Sequence, residues 1–183
     1  MLKYFGENIR KLDWMLLVAA LLLFCLGLAA IYSVSLNQGE QGFDNFNKQI
    51  IFGIIGFVIM ILLSAGSYSG LRVYSRFIWL GTFLFLLFVL FFGGTVHGTR
   101  GWFLIGGFGI QPVELAKVAL IILLANFFCN RFQQFKISKH IIVSLAICLS
   151  FVLLVMLQPD LGSAVILLGI WFFLLLITGI SKK

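Results

Sequence analysis

Five stretches of this chain, residues 14–39, 49–71, 77–99, 141–159 and 161–181, contain no Asp, Glu, Lys or Arg. Each can supply the roughly 20 apolar residues that cross a bilayer. A soluble fold has no place for them: 62% of the residues are hydrophobic and 10% charged, against about 45–50% and about 25% in an average globular domain. In lipid the backbone must satisfy its own hydrogen bonds, which leaves helices or a closed barrel. The apolar stretches are continuous and lack the alternation of barrel strands, so helices are expected.

A further span at 110–130 is needed to keep the connections in consistent compartments. Its uncharged part, 118–130, is too short by itself, so 110–117 enters the membrane carrying Glu114 and Lys117. The sequence therefore predicts an all-α, polytopic integral membrane bundle forming one membrane domain, 1–183. About six transmembrane helices are expected, at 14–35, 49–66, 76–94, 110–130, 140–158 and 161–180.

Orientation follows from the basic residues. With the N-terminus inside, the cytoplasmic pieces hold Lys3, Arg10, Lys11, Arg72, Arg76, Arg131, Lys136, Lys139, Lys182 and Lys183. The outer pieces hold only Lys48 and Arg100. Both termini are thus expected in the cytoplasm. The net charge of +7 is spread over short inner loops, which disfavours nucleic acid as a partner.

The first apolar run exceeds the about 7–15 residues of a signal peptide and has no small-x-small cleavage site. Leu22-Leu23-Phe24-Cys25 is a poor lipidation site because Phe24 stands where a small residue is wanted. Cys25, Cys129 and Cys148 show neither metal spacing nor a disulfide framework and read as buried thiols. No metal site or cofactor is identifiable, and a divalent cation is left open.

Residues 35–48 read as a flexible polar outer loop, and residues 64–74 as an inner turn broken by Gly66 and Gly70. Residues 93–109, GGTVHGTRGWFLIGGFG, are too broken to span and too apolar for an ordinary loop. An interfacial or re-entrant outer segment suits them. The GGFG stretch reads as no dinucleotide fingerprint, since no strand is expected before it. His97 fits a solvated polar residue better than a ligand. Arg100 with Trp102 fits either an interface anchor or a lipid phosphate site.

Two constellations echo each other at the outer mouths of helices: Gln111-Pro112-Val113-Glu114-Leu115-Ala116-Lys117 and Gln158-Pro159-Asp160-Leu161-Gly162. Both fit helix-start devices, with proline at the first helical position and an acid in the first turn. Glu114 and Lys117 are three apart and can pair on one face. They could form a structural ion pair. Ionisable groups inside a span cost a few kcal/mol, however, and commonly mark function. The residues alone support an outward polar pocket of Glu114, Lys117 and Asp160, which could hold an anionic lipid-linked substrate, relay protons or conduct ions.

HGTRGWFLIGGFGIQPVELAKVALIILLA followed by LQPDLGSAVILL resembles the SEDS family (shape, elongation, division and sporulation) over essentially the whole chain. LDWMLLVAALLLFCLGLAAIYSVS is closer to its RodA branch than to its FtsW branch. Val113 stands where the family commonly has Ser, and Gly101 where it has Arg. The resemblance implies the first part of a roughly ten-helix fold and a peptidoglycan glycosyltransferase. Such enzymes polymerise lipid II, an undecaprenyl-linked disaccharide peptide, beside a class B penicillin-binding protein in the bacterial cytoplasmic membrane. It also implies that Glu114, Lys117 and Asp160 lie at a substrate cavity, with Arg100 and Trp102 near the lipid head group. The family's presumed catalytic Asp, on an outer loop after the seventh span, has no counterpart among these residues, so no catalytic residue is assigned here. The chain then reads as a truncated, split or partial member, inactive alone. A lipid II flippase and a non-catalytic fragment are the alternatives.

Overall fold

The computed structural model describes residues 13–38, 40–65, 68–96, 98–105, 108–131 and 137–178. His97, Gly66 and the basic residues Lys3, Arg10, Lys11, Lys136, Lys182 and Lys183 lie outside them. Within the described residues six helices alternate with one small sheet: α1 (Trp14–Gln38), α2 (Glu40–Ala65), α3 (Ser69–Phe92), β1 (Gly94–Val96), β2 (Thr99–Ile105), β3 (Phe108–Ile110), α4 (Pro112–Arg131), α5 (Ile137–Met156) and α6 (Leu161–Ile177). The first five helices are long and apolar enough to cross a membrane. With 17 residues, α6 sits at the lower end of the spanning range. This is a multi-pass, predominantly helical membrane protein.

The chain divides into two units, Met1–Tyr68 and Ser69–Lys183. In the first, Asp13 caps α1: its Oδ1 accepts the Met15 and Leu16 N–H groups at 3.1 and 3.2 Å. The 18-residue windows of α1 and α2 bury nothing inside the chain, as expected of helices that present apolar surface to lipid or to other protein. The two helices pair through aromatic contacts. A Cβ at Gly53 would fall within the Phe24 ring, and that ring meets Phe57 edge-on at 5.8 Å. Tyr32 meets Phe43 and Phe46 at 6.0 and 5.5 Å. Those last contacts explain a departure from expectation. The stretch read as a flexible loop is largely helix, with α2 starting at Glu40, because Phe43 and Phe46, three apart, reach Tyr32 only in helical geometry.

In the second unit α4 packs on α3, α5 and α6. Its small residues Ala116 and Ala119 lie in the core with Leu120 and Leu124, and small side chains let helix backbones approach closely in lipid. Polar ties cross between the helices. Asn126 Nδ2 donates to the Arg72 carbonyl at 3.1 Å and to Ser75 Oγ at 2.7 Å; Trp171 Nε1 donates to Ser144 Oγ at 3.0 Å; Cys148 Sγ donates to the Leu167 carbonyl at 3.4 Å. Such bonds contribute roughly 0.6 and at most about 1.7 kcal/mol each within a membrane. They therefore fix register more than they supply stability. Gly70, expected as a breaker, lies in the first turn of α3.

Of the three thiols only Cys148 is buried; Cys25 and Cys129 are exposed, which corrects the expectation for those two. Cys25 sits on a helix that buries none of its spanning window within this chain, and Cys129 faces away from the core at the last turn of α4.

The glycine-rich stretch is a three-stranded antiparallel sheet, in order β1-β2-β3. Gly94 pairs with Trp102 and Val96 with Thr99; Phe103 pairs with Ile110 and Leu104 with Gly109. The sheet leans on α3, where Phe103 stacks on Phe85 at 5.2 Å and on Phe88 at 5.8 Å. A strand does precede Gly106, contrary to expectation. The next element is a third strand, where a dinucleotide fingerprint requires a helix.

Candidate functional site

The two Gln-Pro segments, 47 positions apart in sequence (111 to 158), meet at the sheet end of the second unit. Pro112 opens α4 as its first residue, where the missing N–H costs nothing and the fixed φ suits the helix. The Glu114 N–H closes the turn on the Gln111 carbonyl at 3.1 Å. The second segment is built differently. Pro159 lies in the turn after α5, and Asp160 is the N-cap of α6, one place before the first helical residue.

Asp160 divides its two oxygens between two helices. Oδ1 accepts the Ser163 N–H at 3.0 Å, satisfying one of the unpaired donors of the α6 start. Oδ2 accepts from Gln111 Nε2 at 3.1 Å. The carboxylate thus joins the starts of α4 and α6 and sits at the positive end of α6.

One turn into α4, Lys117 Nζ donates to Glu114 Oε1 at 2.7 Å. The pair is asymmetric: the Lys117 side chain is 17% exposed and that of Glu114 60%. The lysine side chain is largely covered, and the glutamate side chain stands open with one of its oxygens in the pair. The pairing expected from the spacing is therefore realised. The structure also brings Gln111 to Asp160, whose side chain bonds to Gln111 and Ser163 and not to the Glu114–Lys117 pair.

Arg100 and Trp102 sit at alternate positions of β2, hence on one face of the strand. Trp102 Nε1 donates to Thr99 Oγ1 at 3.3 Å. The Arg100 backbone N–H donates to the Gln158 carbonyl at 3.2 Å, so the strand is tied to the α5–α6 corner. Gln158 is 2% exposed, and its Nε2 donates to the Leu86 carbonyl of α3 at 3.1 Å. Gly162 follows Asp160 in the first turn of α6.

Sequence reasoning gives Gln158 and Gln111 no specific task and passes over Asn126 and the enclosed His140. The available signal is a polar side chain inside an apolar window, which in lipid calls for a partner. Among the described residues no group of three or more His, Cys, Asp or Glu is gathered as a metal would require. The chemistry on offer is an open carboxylate and its partner ammonium at one helix start, a second helix start beside it, and a guanidinium on the neighbouring strand. That set suits a substrate carrying both hydroxyl groups and phosphate.

Comparison with known proteins bears on the family and the fold. Residues 13–183 match the family model of FtsW, RodA and SpoVE, described as cell cycle protein. The peptidoglycan glycosyltransferase RodA of Treponema pallidum is 32% identical over 178 residues, covering 97% of this chain and 41% of the relative. Among solved structures, Thermus thermophilus rod shape determining protein RodA aligns with a TM-score of 0.70 and 26% identity, covering 90% of this chain and 54% of that one. A chain of a peptidoglycan synthase complex, studied for coordination of polymerization and crosslinking, aligns with a TM-score of 0.72 and 26% identity over 93% of this chain and 48% of that one. The chain spans about half the length of these proteins or less. With its spans, its Gln-Pro-acid helix starts and the match from residue 13 to residue 183, this chain belongs to the FtsW/RodA/SpoVE family, the SEDS proteins, on the RodA-like side.

Proposed function

We propose that this chain is the N-terminal portion of a peptidoglycan glycosyltransferase that polymerises lipid II at the outer face of the cytoplasmic membrane. The observation that carries the reading is the Glu114–Lys117 pair, with its lysine side chain largely covered and its glutamate side chain exposed, one turn from the Gln111–Asp160 bridge. In glycan transfer a sugar hydroxyl attacks the anomeric carbon of the carrier-linked glycan. The bond to the undecaprenyl pyrophosphate breaks, and the hydroxyl proton passes to a base. Glu114 is placed to accept a hydrogen bond from a sugar hydroxyl and orient it. Lys117 and Arg100 supply positive charge for the departing pyrophosphate. The base itself is assigned to the part of the polymerase beyond these residues, so the chain alone is expected to be inactive.

Similarity to a chain of a peptidoglycan synthase complex supports a class B penicillin-binding protein as partner. Ten of the thirteen basic residues on one side support cytoplasmic termini. Cysteines placed at Asn45 and Gln134 check the topology: Asn45→Cys should react with an impermeant thiol reagent from outside and Gln134→Cys only after permeabilisation. The activity is tested by joining this chain to the complementary part of Thermus thermophilus RodA and following polymer from purified lipid II. Polymer should form with the joined protein and not with the 183 residues alone. Polymerisation by the isolated chain would move the base to Glu114 or Asp160. Transbilayer movement of lipid II without polymer, from the joined protein, would instead favour a flippase.

A further inference from the structure

Gln158 makes contact in three directions at once. Its amide nitrogen donates to the Leu86 carbonyl on α3 at 3.1 Å, and its backbone carbonyl accepts the Arg100 N–H of β2 at 3.2 Å. Its Oε1 faces Gly101, where an added Cβ would lie only 2.9 Å away. The residue is 2% exposed, and Asp160, the cap of α6 and partner of Gln111, follows two positions later.

A buried residue held through its side-chain N–H on α3 and its main-chain carbonyl on β2 is a rigid spacer, because loss of either bond leaves a polar group unsatisfied in an apolar setting. We infer that Gln158 is a positioning residue: it sets the height of β2, and with it Arg100 and Trp102, against α3 and the α5–α6 corner. Gly101 belongs to the same device. Arg100 and Trp102 occupy one face of the strand, so residue 101 must face the other way, toward Gln158, and the lack of a Cβ there lets the strand of this chain approach Oε1 without displacing it. A side chain there would lift the strand or push the amide off Leu86. Gln158 thereby links the cationic strand to the same corner that carries Asp160, and the two halves of the site keep a fixed separation.

The structural part of this inference is independent of the polymerase reading; its kinetic part rests on it. The structural part is measured by hydrogen–deuterium exchange on the full chain in nanodiscs. Gln158→Leu keeps the bulk and removes the amide. Peptides covering 99–105 should exchange about tenfold faster, the ratio that corresponds to loss of one buried hydrogen bond, while the α4–α5 core peptides are unchanged. Gly101→Ala approaches the contact from the other side, and covers the case in which Gln158→Leu fails to fold. It should loosen the same peptides when Gln158 is present and have little further effect beside Gln158→Ala, which vacates the space. Equal effects of Gly101→Ala in both backgrounds, or unchanged exchange in 99–105 for Gln158→Leu, would overturn the inference. In the joined polymerase, displacement of Arg100 should raise KM for lipid II about tenfold with little change in kcat. A fall in kcat at constant KM would reveal mere loss of folded enzyme and remove the positioning role, leaving the exchange result to stand or fall alone.

Discussion

The two Gln-Pro segments are near copies in sequence and opposites in structure. In the first, Pro112 and Val113 are buried, while Glu114, one residue on, is exposed and pairs with Lys117. In the second, Gln158 is enclosed and doubly engaged, and both oxygens of Asp160 are already in use. A carboxylate with each oxygen already bonded to the fold is less free to turn toward a substrate. The same sequence device thus serves in one place to present a charged pair and in the other to anchor a corner.

The strongest way to break this contrast is at the exposed pair. In the joined polymerase, Glu114→Ala or Lys117→Ala should lower polymer formation by about 10²–10³-fold, the scale of removing one charge-stabilising group. The amount of protein in the membrane should stay unchanged. Exchanging the two charges, Glu114→Lys with Lys117→Glu, should leave the enzyme inactive. Recovery of activity by the exchange would make the pair a structural one and erase its difference from Asp160.

The corresponding change at the anchor acts on folding. Asp160→Ala removes the α6 cap and the acceptor for Gln111, and should destabilise the protein by roughly 1–2 kcal/mol, read by denaturant titration in detergent. Specific activity of the folded fraction should fall far less than for Glu114→Ala. A loss of about 10²-fold at unchanged stability would assign Asp160 to the substrate.

The smallest effect is also the most discriminating. Gln111→Ala and Asp160→Ala remove two ends of one hydrogen bond, so their combined cost should fall short of the sum by about 0.5–1 kcal/mol. Strict additivity would separate the two helix starts that the bridge joins.

Much of this arrangement is legible in the amino-acid sequence. Charge-free windows identify the helices, because the bilayer imposes a length and forbids unpaired charge regardless of tertiary detail. The Glu114–Lys117 pairing follows from helical spacing alone. What escapes is non-local. Nothing between Thr99 and Leu104 alternates cleanly, since Gly101 stands at an inward position where an apolar side chain would signal a strand. The sheet depends on pairing between segments and on Phe103 stacking against α3. The Gln158–Leu86 bond spans 72 positions and leaves no local trace. The start of α2 is hidden for a similar reason: polar residues from Glu40 to Lys48 conceal two phenylalanines that find Tyr32 on the other helix.

The seating of Phe24 on Gly53 in the N-terminal hairpin carries a consequence for how this part of the molecule can drift in sequence. Bulk at the two positions is a shared quantity. Any side chain gained at 53 has to be surrendered at 24, and a smaller residue at 24 opens a void that a larger residue at 53 can refill. Viable combinations in a library randomised at both sites would therefore lie along an anti-diagonal of residue volume, and the two positions would co-vary although each, scored singly, looks merely intolerant.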